Sequence, residues 1–175
     1  MPQKPSAPGF EDLLDSARHH ALHLELRDVY AVGEEREVYD TFLRDGSVPA
    51  DDSAFWGGWL PLVERTIARG VKIRRARIVS EPVTDYIRFE HAITDANLRA
   101  GEEVRWLPRR HASTLALPGN DFWLIDDQVV RWNIFSGDGQ ALDPDHTEDP
   151  GTIKLCTEAF RSAWERAVPH TQYRI

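Results

Sequence analysis

The sequence predicts a single α/β domain in which helices flank a mixed sheet, and three observations lead there. Helical and extended patterns alternate through the first two thirds of the chain. Two strand-like runs near the end read as an antiparallel hairpin. At 175 residues, 41% apolar and 10% aromatic, the chain has the size and composition to bury one core without disulfide staples.

Met1 to Gly9 carries three Pro and one Gly and reads as a mobile tail, leaving 10–175 as the domain. Phe10, Leu13, Leu14, Ala17 and Ala21 recur at helical spacing. Leu22, Leu24 and Leu26 then alternate with His23, Glu25 and Arg27 as a strand does. Glu34 to Leu43 is a polar helix with Val38, Tyr39 and Phe42 on one side, closed by the turn dipeptide Asp45-Gly46. After a loop over Asp51 to Gly58, the stripe Trp59, Leu62, Val63 and Ile67 makes a helix. Pro61 sits in its first turn and Gly70 beyond its end.

Val71 to Val79 is the next strand, broken by Ser80-Glu81-Pro82. Thr84 to Ala100 is a helix with Tyr86, Phe89, Ile93 and Ala96 on one stripe, and Gly101 ends it. Val104 to Leu107 is a short strand and Pro108 to Asn120 a loop. Phe122 to Ile125 and Val129 to Phe135 form the hairpin, turning at Asp126-Asp127-Gln128. Asp149 caps the last helix with Pro150 at its first position, and Pro169 to Ile175 reads as irregular.

Composition narrows the function. The net charge of −8 argues against a broad nucleic-acid footprint. The single Cys156 excludes a disulfide framework and any zinc site built from several thiolates, and it falls on an apolar helix stripe as a small hydrophobe. No apolar run approaches the ~20 residues that span a bilayer, and no signal-peptide pattern opens the chain, so we expect a cytoplasmic protein. His19, His20 and His23 lack a recognised metal-ligand spacing, and neither a metal nor a cofactor is expected.

The run RRARIVSEPVTDYIRFEHAITDANLRAGEEVRWLPRR at 74–110, with LPGNDFWLIDD at 117–127 and PHTQY at 169–173, resembles an uncharacterised actinobacterial family of unknown function. Its members are often encoded beside helix-turn-helix regulators of the WhiJ type. The resemblance implies a small cytosolic partner of a transcriptional regulator and brings no reaction with it. The hairpin is also similar to the His-x-Lys-x4-Asp strand of phospholipase D-like domains, with Asn120, Phe122 and Asp127 at those three positions. Asn cannot form a phosphohistidine and Phe cannot neutralise phosphate, so the resemblance implies the fold without the hydrolysis.

The candidate site lies on the central run. Arg75 and Arg77 share one face of a strand while Ala76 and Ile78 take the other, and buried guanidinium groups demand acidic partners or a ligand anion. Glu81, Asp85, Glu90 and Asp95 are the acids near in sequence. Arg88 and His91 lie three apart on the following helix, and Arg109 and Arg110 enter the next loop with His111 as a second basic group that could cover the first across the sheet. Ser80-Glu81 stands at the strand end where open α/β sheets place ligands. We therefore expect a non-catalytic regulatory module that binds a helix-turn-helix regulator and a small anionic ligand through Arg75, Arg77, Glu81, Arg88, His91 and Asp127. The alternative is an enzyme acting on a phosphate- or carboxylate-bearing small molecule, with Glu81 or His91 moving the proton.

Overall fold

In the computed structural model, which describes residues 9–30 and 33–175, seven strands form one mixed sheet in the order β6-β5-β4-β1-β2-β3-β7. The expected tail, apart from Gly9, lies outside the described residues. β1 (His20–Glu25), β2 (Lys72–Val79) and β3 (Glu103–Pro108) run parallel at the centre. β4 (Asp121–Ile125), β5 (Val129–Asn133) and β6 (Asp145–Thr147) extend them as an antiparallel meander. β7 (Val168–Pro169) closes the far edge against β3.

One face is covered by α1 (Phe10–Ser16), α2 (Arg36–Asp45), α3 (Trp59–Ala68) and α4 (Asp85–Arg99), packed over Ile73, Val79, Val104, Trp106 and Trp123. The other is covered by α6 (Pro150–Arg166) and the single turn α5 (Arg109–Ala112), over Leu24, Ala76, Ile78, Phe122 and Leu124. Strand alternation produces this split, since successive side chains of β2 point to opposite layers. α2 settles its apolar side on α4 through Tyr39 and Phe42, whose rings stand 5.5 Å from Phe89. α4 starts at Thr84, whose hydroxyl accepts from the Ile87 amide at 3.1 Å. It ends at Gly101, whose φ of 103° favours glycine and where a Cβ would press on the Ile67 side chain at 3.2 Å.

The first helix stops at Ser16, earlier than its apolar period suggests, and Ala21 belongs to β1. The cause lies on the hairpin turn more than a hundred residues away. Asp126 and Asp127 both take left-handed backbone, φ 51° and 54°, as a tight type I′ turn requires. The Asp126 carboxylate then accepts the amides of Arg18, His19 and His20, each at 2.8 Å. Three donors bound to one side chain cannot continue a helix. The loop expected over 108–120 contains α5, and the second hairpin strand ends at Asn133 rather than Phe135. β6 and β7 carry no apolar alternation and were invisible in the pattern. Among the described residues, no helix is long and apolar enough to cross a membrane.

Candidate functional site

The register of the two central strands builds a square of polar side chains on the α4 face. His23 stands opposite Arg75 and Glu25 opposite Arg77, because β1 and β2 alternate in phase. Glu25 bridges both arginines: its Oε1 lies 2.6 Å from Arg75 Nη1 and its Oε2 lies 2.7 Å from Arg77 Nε. Arg75 Nε reaches Glu102 Oε1 at 2.6 Å, and Glu102 in turn accepts from Asn97 of α4 at 2.8 Å. Arg77 Nη1 pairs with Glu90, also on α4. The guanidinium carbons stand over rings, Arg77 at 5.0 Å from Trp106 and Arg75 at 5.7 Å from Trp59. Arg77 is 5% exposed and Glu102 2%, so these charges are desolvated and depend on one another.

More acid than base surrounds this square. Glu35 leads into α2, and Asp121 opens β4 beside β1. Tyr86 places its hydroxyl 3.1 Å from Glu90 and 3.4 Å from Glu35, while the Tyr30 hydroxyl donates to Asp121, which also accepts the Leu26 amide at 2.8 Å. Burial would raise the Glu25 carboxyl, but Arg77 and Arg75 outweigh it and hold it at about 2. Glu35 has no ion pair among the described residues: burial and then the Glu90 charge push it up to about 7, with the Tyr86 hydroxyl and the Arg77 charge offsetting part of the rise. Burial lifts Asp121 to about 6, with the Tyr30 hydroxyl offsetting part of the rise and Glu25 adding to it. Burial, and then Arg75, keep His23 well below its ordinary value, so its ring is neutral.

Two adjoining cavities of about 300 and 280 Å³ open here and share His23, Glu35, Arg75 and Glu90 in their walls. The first adds Phe55, Trp56, Trp59 and Trp123, together with Arg77 and Asn97. His23 Nε2 lies 3.3 Å from Glu25, whereas its buried Nδ1 has no hydrogen-bond partner among the described residues.

The six residues expected to form one pocket do not converge. Arg75 and Arg77 are together as expected, but protein carboxylates occupy them. Glu81, beyond the end of β2, accepts from the Tyr173 hydroxyl at 2.8 Å. Arg88 lies on the outer side of α4, 3.8 Å from Asp85. His91 faces the C-terminal segment, its Nε2 3.3 Å from the Tyr173 carbonyl and its ring 4.4 Å from that of His170. Asp127 sits in the hairpin turn, 3.4 Å from His20 Nε2 and 3.2 Å from the Thr157 hydroxyl. The helix of Arg88 and His91 presents its inward face through Tyr86, Glu90 and Asn97 instead, on a different side from the expected pair.

The strand-end crevice at Ser80 is filled from within the chain. The Ser80 amide and hydroxyl donate to Asp28 at 2.6 and 2.7 Å. Arg109 clamps the Leu26 and Ile78 carbonyls at 2.7 and 3.0 Å and Asp28 at 3.1 Å, so it secures the ends of β1 and β2 rather than covering the first basic group. Of the phospholipase D-type positions, Asn120 is exposed and Phe122 is buried under α6 against Trp132. Asp127 lies at the opposite end of the strand, so the three define no common site. His23, Glu25, Glu35, Glu102 and Asp121 were missed as site residues. For His23 and Glu25 the signal was present, because polar residues alternating with Leu on a central strand must face something polar. Among the described residues, no group of His, Cys, Asp and Glu side chains is arranged to hold a metal ion.

Three solved structures place this architecture. NucT from Helicobacter pylori superposes with a TM-score of 0.51 at 14% identity, covering 91% of this chain and 87% of that one. Nuc from Salmonella typhimurium, a phospholipase D family member, gives 0.49 at 11% identity over 94% and 88% of the two chains. TrmBL2, an archaeal chromatin protein with a novel mode of DNA binding, gives 0.47 at 14% identity; it is matched over 90% of this chain but only 48% of its own length. The mixed α/β architecture is thus the one the sequence predicts, and the chain shares its fold with NucT. No curated protein sequence matches this chain. The chain belongs to the family described as Domain of unknown function (DUF6879), whose model matches residues 8–175.

Proposed function

We propose that the domain is a non-catalytic binding module, that its cleft takes a small ligand bearing cationic N–H donors, and that it acts through a partner protein. The observation that carries this reading is the pairing of both cleft arginines with Glu25, Glu90 and Glu102, which leaves no free cation to hold an anion. What remains toward the cavities is acceptor chemistry: the Glu35 carboxyl and the neutral His23 Nδ1, beside aromatic walls. The small anionic ligand expected at Arg75 and Arg77 would have to displace buried carboxylates, which costs several kcal/mol by order of magnitude.

Thermal-shift measurements with primary amines and amidines test the ligand class. N–H-bearing cations are expected to stabilise the protein and quaternary ammonium analogues are not, with the effect lost in Glu35→Gln. Stabilisation by anionic metabolites that disappears in Arg77→Ala would overturn the reading. The partner we propose is a helix-turn-helix regulator, supported by the family resemblance in the central run. Co-expression with such a regulator encoded beside the gene tests it, a stable complex being expected and independent elution at all salt concentrations counting against it.

An enzyme acting on a phosphate- or carboxylate-bearing small molecule is the second reading, and Glu35 favours it, since a carboxyl near 7 suits proton transfer at neutral pH. Glu81 and His91, the proton carriers expected for such an enzyme, stand outside the cleft. Turnover of a generic phosphodiester such as bis(p-nitrophenyl) phosphate, abolished by Glu35→Gln, would establish the enzyme; we expect none.

A further inference from the structure

We propose that a groove on the opposite face of the sheet, between the starts of β1 and β2 and the flank of α6, binds a small phosphate-bearing molecule. The register that pairs His20 with Lys72 sets the first residues of the two strands side by side. Arg74, two residues on, points to the α6 layer with Ala76 and Ile78. α6 crosses that layer and lines the groove with Thr157, Arg161 and Trp164, at steps of four and three along one side of the helix. Arg18 closes it from the link between α1 and β1. The cavity measures about 510 Å³, which falls within the size range of small-molecule sites.

Three of its four permanent cations differ from the paired arginines of the molecule. Arg65, Arg75, Arg77, Arg99 and Arg109 each hold a carboxylate at 3.2 Å or less. The side chains of Arg18, Lys72 and Arg161 have no ion pair or hydrogen bond among the described residues. Arg74 is partly engaged, with Glu103 at 3.2 Å and its guanidinium 5.3 Å from the Trp164 ring. Asp127, the carboxylate in the wall, already faces His20. Arg18, Lys72 and Arg161 against the one wall carboxylate, Asp127, with Arg74 paired to Glu103, leave a local excess of positive charge in a chain of net charge −8. A phosphate dianion supplies the charge and the acceptor oxygens that they lack.

Two features favour a small molecule over a nucleic-acid backbone. The basic side chains surround a concavity rather than follow a track, and the acid surplus elsewhere repels a long polyanion. Trp164 serves as a wall, since Arg74 and Arg105 already stand over its ring and Phe160 stacks on it at 5.5 Å. Recognition therefore rests on the phosphate.

Isothermal titration with inorganic pyrophosphate tests the site. We expect saturable binding of one equivalent, weaker as salt rises and weakened at least about tenfold in the double variant Lys72→Ala/Arg161→Ala. Both residues are exposed and unpaired, so the variant should fold, and its circular dichroism and melting curve check this. Glu35→Gln, in the cleft across the sheet, should bind pyrophosphate normally, which separates this proposal from the preceding one. Absence of saturable binding at low salt, or equal affinity in the folded double variant, would overturn it. So would displacement of pyrophosphate by oligonucleotides with affinity growing with their length, which would make the groove a nucleic-acid site.

Discussion

Two carboxylates in the walls of one cleft behave oppositely because only Glu25 is in contact with a cation among the described residues. Glu25, held at about 2, ionises more readily folded than unfolded, where it titrates near 4.5. Its contribution to stability is complete above pH 4.5 and is lost as pH falls toward 2. Glu25→Gln should leave Arg75 and Arg77 under-compensated and cost about 3–5 kcal/mol at neutral pH by chemical denaturation. Glu35, raised from 4.5 to about 7, has the reverse sign. The folded state keeps a proton that the unfolded chain gives up, so stability falls as pH rises from 4.5 to 7 and stays reduced above. Glu35→Gln is therefore expected to melt higher than the parent at pH 8, with the gap closing as pH approaches 4.5. A gap independent of pH would refute the assignment. That Arg75 and Arg77 need partners was legible from strand alternation, and Glu90 stood among the acids near in sequence. Glu25 and Glu102 were not legible as partners, because they lie 50 and 27 residues from Arg75 and meet it only once the strands pair.

Among the elements, the hairpin turn fixes more than its own strands. Asp126 ends the first helix and starts β1 through three amides, so Asp126→Ala should cost about 2–3 kcal/mol, from the orphaned donors and from a left-handed φ that alanine resists. Loss of amide protection at 18–20 in hydrogen exchange would locate the damage. The turn dipeptide itself was readable from sequence, as were α3, α4 and α6, whose periods and caps agree. Its reach to the first helix was not, since no local pattern records which distant amides a carboxylate will accept. Thr84→Ala, which removes the α4 cap and its 2.7 Å bond to the Asp28 carbonyl, should cost about 1–2 kcal/mol by the same denaturation measurement.

For the whole molecule, the seam where α4 meets the C-terminal segment adds acid sensitivity near neutrality to that of the buried His23. Burial, and then the facing His91, lower His170. Burial also lowers His91, partly offset by its bond to the Tyr173 carbonyl. Trp106 Nε1 donates to His170 Nδ1 at 3.0 Å, Asp95 lies 3.2 Å from its other nitrogen, and Tyr173 stacks on Trp106 at 5.6 Å. Both histidines have folded values below 6.5, so at these two sites the unfolded chain takes protons first as pH falls, and their contribution to stability drops from pH 6.5 downward. Glu35 and Asp121 act with the opposite sign over the same range, so the test is a difference: between pH 7 and pH 5.5 the melting temperature of His91→Gln is expected to gain relative to that of the parent, and a gap independent of pH would contradict it.

The closing strand of that segment has one more consequence, for how copies of the protein meet. An open sheet offers its outermost strands to any chain that can hydrogen-bond to them, the usual route to swapped dimers and fibrils. Here one border is two residues long and ends in Pro169, which has no amide to donate, and the other is three residues long and polar. Neither border is a template for a further strand. Any partner of this domain must be met by its helices and loops, and crowding alone should not drive the chain into β-aggregates.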